Sequence, residues 1–248
     1  MTFNKLEPTE LLSAGIFAGC VGHAINALSW ASSVNEWLFV DQGVSEYFAA
    51  SIDHIAAAVL FASAVMVWFA SLRTSALTLS IWISLNVMAS LHLTTWHKEL
   101  IPTASAAAMI APIALLLLKH RKLAEWLLRV GIALTFATHG LEATLSKRLF
   151  VDFVLEFWGW FGISFGDSAA KGQLHAIGLL DLIVAVMILV PRKMRKTALW
   201  MAFWGFITAL MRILYSGVIN VPEFLVRLSH VTVPLALLVL WKHNDEAN

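Results

Sequence analysis

Long apolar stretches alternate with short polar connections along the whole chain. A hydrocarbon core of roughly 30 Å takes about 20 residues of helix at about 1.5 Å per residue. Eight stretches meet that length, at roughly 9–31, 47–71, 76–96, 100–118, 124–145, 170–190, 197–219 and 222–242. The pattern predicts an all-α polytopic membrane protein with eight transmembrane helices. "RTS", "KHRK" and "PRKMRK" punctuate the short connections. Two longer ones, "VNEWLFVDQGVSEYF" and "FVLEFWGWFGISFGD", mix aromatic residues with a few charges and are predicted to lie along an interface as amphipathic segments.

Composition agrees with the pattern. Of 248 residues, 59% are hydrophobic and 13% charged, and the mean hydropathy is +0.77. The first partner implied is a lipid bilayer, where the eleven tryptophans suit the two interfaces. A net charge of +1 gives no ground for a nucleic-acid partner. Cys20 is the one cysteine, so there is no internal disulfide and no CxxC motif. The start "MTFNKLEPTE" carries two glutamates and no basic segment before a cleavage site, so the first span is expected to be retained.

Charge sets the expected orientation. With both termini on one side, that side holds Lys5, Arg73, Lys119, Arg121, Lys122, Arg192, Lys193, Arg195, Lys196 and Lys242. The other holds Lys98, Lys147, Arg148, Lys171 and Arg227. Ten against five predicts cytoplasmic termini, and a bacterial inner (plasma) membrane suits such a chain.

A shift of 121 lays "HIAAAVLFASAVMVW" over "HAIGLLDLIVAVMIL", so that His54 meets His175. The same shift pairs Trp37 with Trp158 and Glu46 with Asp167, while His23 and His139 are 116 apart. "PIALLLLKH" and "PLALLVLWKH" close the two halves with one inserted residue. The chain therefore reads as two tandem four-helix units, 6–120 and 123–243, and an even helix number makes them parallel.

Ionisable residues inside spans cost about 3 kcal/mol each at the centre and point to function by default. His23 and His54 lie about eight and seven residues from the outer ends of their spans, and His139 and His175 about six and five, so each pair shares one level. The expectation is that His23 pairs with His54, and His139 with His175, each pair holding haem b or, as the alternative metal, copper. Arg212 sits at the level of the second pair and calls for an anion, whether a propionate, a substrate, Glu142 or Asp181. Asn26 and Glu142, one turn beyond His23 and His139, are candidates to orient the rings. Asp181 is a candidate proton handler, as is Asp53 outside the repeat pattern. His92 and His230 are further candidate ligands. The competing account makes every one of these rings interhelical hydrogen-bonding glue. Arg129 is expected to snorkel, and His97, His120 and His243 are given no role. GxGxxG, Walker and HExxH motifs are absent.

"RVGIALTFATHGLEA" (129–143) and "HAIGLLDLIVAVMILV" (175–190) resemble DoxX-like membrane proteins, and "GHAINAL" keeps a trace of the pattern in the first half, with Asn26 at the acidic position. That family is four-helix, and some relatives are subunits of thiosulfate:quinone oxidoreductase, which implies quinone-linked redox work. The leading expectation is a membrane oxidoreductase subunit passing electrons between an outer-face redox protein and the quinone pool. Two other classes stand beside it. One is a proton-coupled transporter using Asp53, Asp181 and Arg212, although no span is plainly broken by paired Gly and Pro. The other is a non-catalytic anchor or assembly partner.

Overall fold

The computed structural model describes residues 6–69, 72–93 and 96–246, with side chains through 242. Lys5 of the charge count and the His243 side chain lie outside the described residues. The helices are α1 (Pro8–Ser29), α2 (Ser33–Glu36), α3 (Glu46–Phe69), α4 (Leu72–Leu93), α5 (Ile101–Ala104), α6 (Ala106–Leu116), α7 (Arg121–Thr144), α8 (Arg148–Gly159), α9 (Asp167–Leu189), α10 (Arg195–Ser216), α11 (Val221–Val226) and α12 (Ser229–Glu246). No strand occurs among the described residues. Pro8 starts α1 where a missing N–H costs nothing, and the Glu10 carboxylate returns to the Glu7 amide at 3.1 Å.

Among the described residues, seven stretches are long and apolar enough to cross a membrane: Pro8–Ser29, Glu46–Phe69, Leu72–Leu93, Lys98–Leu116, Asp167–Leu189, Arg195–Ser216 and Val218–Lys242. Large apolar side chains such as Phe69, Val186 and Phe203 are exposed on their outer faces. This is the architecture of an integral membrane protein, with lipid covering those faces. At 24 residues α7 is at least as long as all but one of them, about 36 Å. It is less apolar because its polar groups face protein: Arg129, Thr135, Thr138 and Glu142 are all buried.

The two longer connections fold as short helices. One is α2 continued by a π-turn over Trp37–Asp41, and the other is α8. Two of the spanning stretches are broken about two to three turns inside their start. The first passes from α5 to α6 at Ser105, and the second from α11 to α12 at 227–228. Backbone groups freed inside a bundle need partners. Thr135 on α7 serves the first break, accepting from the Ala107 amide at 2.9 Å, and Thr138 donates to Thr103 Oγ1 at 2.6 Å. At the second, Asn26 on α1 donates to Glu223 at 3.0 Å, and a Cβ at Gly22 would sit 2.8 Å from the Pro222 carbonyl. The helix that begins each half thus seals the broken helix of the other.

Burial repeats along the chain. The buried positions of α3 are Ala49, Asp53, Ala57, Leu60, Ser63, Ala64 and Val67. Each recurs 121 residues later in α9, as Ala170, Leu174, Gly178, Asp181, Val184, Ala185 and Ile188. The first helices behave alike at an offset of 116, where Leu12, Ile16, Ala24 and Ala27 answer to Leu128, Ile132, Gly140 and Ala143. α1 packs on α3 as α7 packs on α9, and α12 lies on α1 as α6 lies on α7. One continuous apolar core joins the two halves, from Leu12, Ile16 and Leu60 to Leu128, Ile188 and Leu237.

Arg129 corrects the snorkelling expectation. It is 3% exposed, and all five guanidinium N–H groups are used. Glu125 accepts two (3.0 and 2.7 Å), and the carbonyls of Ile188, Val190 and Arg192 at the end of α9 accept three (3.0, 2.5 and 2.8 Å). Trp126 and Trp241 flank the guanidinium at 5.3 and 4.8 Å, and Trp241 donates to Glu125 at 2.6 Å. The cation completes a helix C-terminus that would otherwise leave carbonyls unpaired.

Candidate functional site

Within the second half, α7, α8, α9, α10 and α12 enclose a cavity of about 310 Å³. Three features of sequence build it. Gly140 and Gly178 meet where α7 crosses α9, each carbonyl lying where the other residue's Cβ would be, at 2.8 and 2.5 Å. Gly205 lets α10 come equally close to α12, since a Cβ there would sit 2.7 Å from the His230 carbonyl. The amphipathic α8 then lies over the open side, with Val151 and Val154 packed on Ala143, Ala170 and Leu174. Trp158 donates to Gln173 at 2.8 Å, and Arg148 pairs with Asp152 and Asp167 at 2.8 and 3.1 Å, which fixes the helix in place.

The walls are aromatic, with Phe136, Phe150, Phe153 and Phe157 among them, and His139, Asp181, Arg212, Arg227 and His230 also line the cavity. His139 Nδ1 lies 2.8 Å from Glu142 Oε2, and Glu142 also accepts from Lys147. The buried His230 ring faces His139 with centroids 5.5 Å apart. Arg227 pairs with Glu223 one turn earlier. These charges are matched within the chain; Arg212 is different. It makes no hydrogen bond or ion pair among the described residues, its Nε is buried without a partner, and its guanidinium lies 4.8 Å from the Phe153 ring centre. A stacked ring offsets only about 1–2 kcal/mol of the cost of a desolvated cation. Asp181 is 5% exposed and its Oδ1 has no partner, while Trp204 is the donor bearing on its carboxyl. The lining therefore offers a free planar cation, two imidazoles and a buried carboxyl to whatever enters.

The expected histidine pairs are not assembled. His54 directly follows buried Asp53, and His175 directly follows buried Leu174, so each is turned about 100° from the buried stripe of its helix and is exposed. The His175 ring bonds to the Lys171 carbonyl of its own helix at 2.7 Å. Depth along a helix gives height in the membrane, but it carries no information about direction around the axis. His23 looks toward α4, α6 and α12, lining a small void with Leu79, Ser229 and Thr232, and its Nε2 is without a partner. Asn26 bonds Glu223 instead of orienting His23. His92 is exposed, its ring tilted by 33° against that of Trp37 with centroids 5.9 Å apart. Among the described residues, no group of three or more His, Cys, Asp or Glu converges on a metal position.

Asp53 is committed elsewhere. It accepts from the Ser32 amide (3.0 Å), the Ser32 hydroxyl (2.5 Å) and Asn35 (2.9 Å), which ties α2 down onto α3. Arg227, Gln173, Trp204 and the phenylalanines of α8 are site residues that sequence reading missed. Arg227 had a signal, because Glu223 lies four residues before it on a polar stripe. The α8 residues carried none beyond amphipathicity. No protein-family model, curated protein or solved structure matches the chain.

Proposed function

We propose that this is an eight-helix protein of the bacterial inner membrane, built from two tandem four-helix units with both termini cytoplasmic, that binds a quinone head group in the second-half cavity as a membrane redox subunit. The carrying observation is Arg212, unpartnered in an aromatic cavity beside His139, His230 and Asp181. A quinone presents apolar ring faces and two carbonyl acceptors, so it suits phenylalanine walls with donors at one place. Its reduction consumes two electrons and two protons, and the cavity holds groups that exchange protons, with the electrons assigned to an outer-face redox partner. The segments resembling DoxX-like proteins are α7 and α9, whose glycine crossing supports this cavity. The reading favours a quinone over haem or copper because His54 and His175, the expected partners of His23 and His139, are exposed. The recurring burial pattern supports the two-unit description, and the basic residues at the Arg129 end support its orientation.

Short-chain quinone binding to the purified protein in nanodiscs tests the reading. Arg212→Ala should weaken it by about tenfold or more, the loss of a hydrogen bond from a charged donor at about 1.5–3 kcal/mol. Absence of quinone binding by the wild type, or equal binding by the variant, overturns it. The two matched helix breaks favour one second reading, a carrier for a lipid-soluble acid held by Arg212. Tight binding of a fatty acid with no quinone binding would select that reading.

A further inference from the structure

We infer that Lys147, Glu142 and His139 form a proton route between the cavity and the surface at the α7–α8 corner. The inference rests on the quinone reading. The three groups are contiguous. Lys147 follows Ser146, whose left-handed φ of 54° turns the chain sharply between the helices. Its side chain is 34% exposed, stands over the Trp96 and Phe150 rings at 5.1 and 5.6 Å, and bonds to Glu142. The Glu142 side chain is only 7% exposed and uses its second oxygen for His139 Nδ1. His139 lines the cavity, and its remaining nitrogen, Nε2, makes no hydrogen bond within the described chain. The side chains are 34%, 7% and 26% exposed in turn, so a buried carboxyl joins the surface ammonium to a cavity-lining imidazole through an unbroken pair of hydrogen bonds.

A merely structural ion pair would need Glu142 and Lys147 alone. The placement of an imidazole on the other carboxylate oxygen, with its free edge on the cavity, is what a relay requires. The other groups facing His139 across the cavity are His230 from α12, Arg212 from α10, Asp181 from α9 and Arg227 at the end of α11. None of them leads to the surface through a bond to His139. When a bound quinone takes two electrons from the redox partner, each oxygen gains one proton. For one oxygen, Lys147 first hands a proton to the Glu142 carboxylate and recovers its own from water. The carboxyl so formed protonates His139 Nδ1 as Nε2 gives its proton to the quinone, which returns Glu142 to the carboxylate. The second proton has Asp181 as its nearest source in the lining.

Electrochemical infrared difference spectroscopy on the full chain in nanodiscs, loaded with decylquinone, reads the ligand and the carboxyls in one spectrum. Reduction should produce quinone bands together with a carboxylate signal from Glu142 and a carboxyl carbonyl signal from Asp181. Glu142→Gln should remove the carboxylate signal while the quinone bands keep their amplitude. Lys147→Met leaves the Glu142–His139 contact in place and should shift the carboxylate signal in frequency, since the ammonium no longer bonds it. An undiminished carboxylate signal in Glu142→Gln, or an unshifted one in Lys147→Met, overturns the route while the quinone reading stands. Absence of quinone bands in the wild type overturns both.

Discussion

Replacing Gly178 with alanine asks whether the α7–α9 crossing is as tight as it looks. The added Cβ would lie 2.5 Å from the Gly140 carbonyl oxygen, 2.7 Å from Thr144 Cγ2 and 3.0 Å from the Thr144 amide nitrogen. A comfortable carbon–oxygen approach is about 3.3 Å, so the helices must part locally by roughly 0.8 Å. Two of the three neighbours are backbone atoms, which cannot swing aside as a side chain can. Overpacking of this kind costs about 1–3 kcal/mol. Alanine itself returns up to about 1 kcal/mol as a better helix former than glycine. On the same helix, a Cβ added at Gly172 would meet nothing within 4 Å, so Gly172→Ala collects the propensity gain alone and is the control. The difference between the two variants is then about 1–3 kcal/mol, or roughly 3–9 °C in melting temperature at about 3 °C per kcal/mol for a chain of this size. Thermal unfolding of both variants in the same detergent measures it. The displacement would also move His139 and Glu142 against Asp181, whose Cβ is 3.2 Å from a Cβ built on Gly140, so ligand affinity should fall with stability. Melting temperatures within about 1 °C of each other would refute the crossing as described.

Arg129→Met should cost about 3–5 kcal/mol, because it leaves Glu125 without its cation and three carbonyls without a donor. Adding Glu125→Gln should recover part of that loss in the same melting assay, and a double variant no more stable than the single one would contradict the pairing. Asp53→Ala should release α2, at about 1–3 kcal/mol for its lost hydrogen bonds, and limited proteolysis within 30–45 should speed up several-fold; an unchanged cleavage rate would deny Asp53 that anchoring role. A C-terminal alkaline phosphatase fusion should be inactive and a fluorescent protein fusion bright, and the opposite pattern would reverse the orientation.

Much of the helix plan was legible because hydrophobic length and the 121-residue offset are one-dimensional signals. The exception is instructive. α7 reads as a span, yet it is the helix whose buried Arg129, Thr135, Thr138 and Glu142 hold its average hydropathy down. The breaks at Ser105 and 227–228 were harder to see, because the prolines that accompany them, Pro102 and Pro222, open short helices instead of interrupting long ones. At the site, local chemistry was readable where partners are one turn apart, as with His139 and Glu142. Partners on other helices depend on rotation about each axis, which residue counts from a membrane surface do not encode. His175 matches His139 in depth and faces outward; His230, on a distant helix, supplies the ring beside His139. The cavity itself arises from glycines and from α8, neither of which announces a ligand.

The two halves share a burial pattern but have filled it differently, and the proposed site lies where they differ. In the two-unit description, Asp181 corresponds to Leu60, Arg212 to Ser90 and His230 to Ala108, at offsets of 121 or 122. Ser90 bonds Ser33 and the Asn86 carbonyl, each at 2.8 Å, and Leu60 is buried in the common core. The polar group that remains in the first half, Asp53, closes α2 onto α3 where Leu174 lines the cavity of the second. Free cation, buried carboxyl and His230 thus occur together in one half, at places where the other half has Ser90, Leu60 and Ala108, while His139 has an imidazole counterpart in His23. Packing glue alone would not leave Arg212 without a partner inside a membrane, because an unpaired guanidinium costs several kcal/mol that a serine at the same position avoids. The proposed ligand, meeting the guanidinium from outside the chain, gives a reason for an arginine at this position. The first half then serves as the frame, whose α1 holds the broken α11–α12 segment in place through Asn26 and Glu223 and so positions Arg227 at the edge of the cavity.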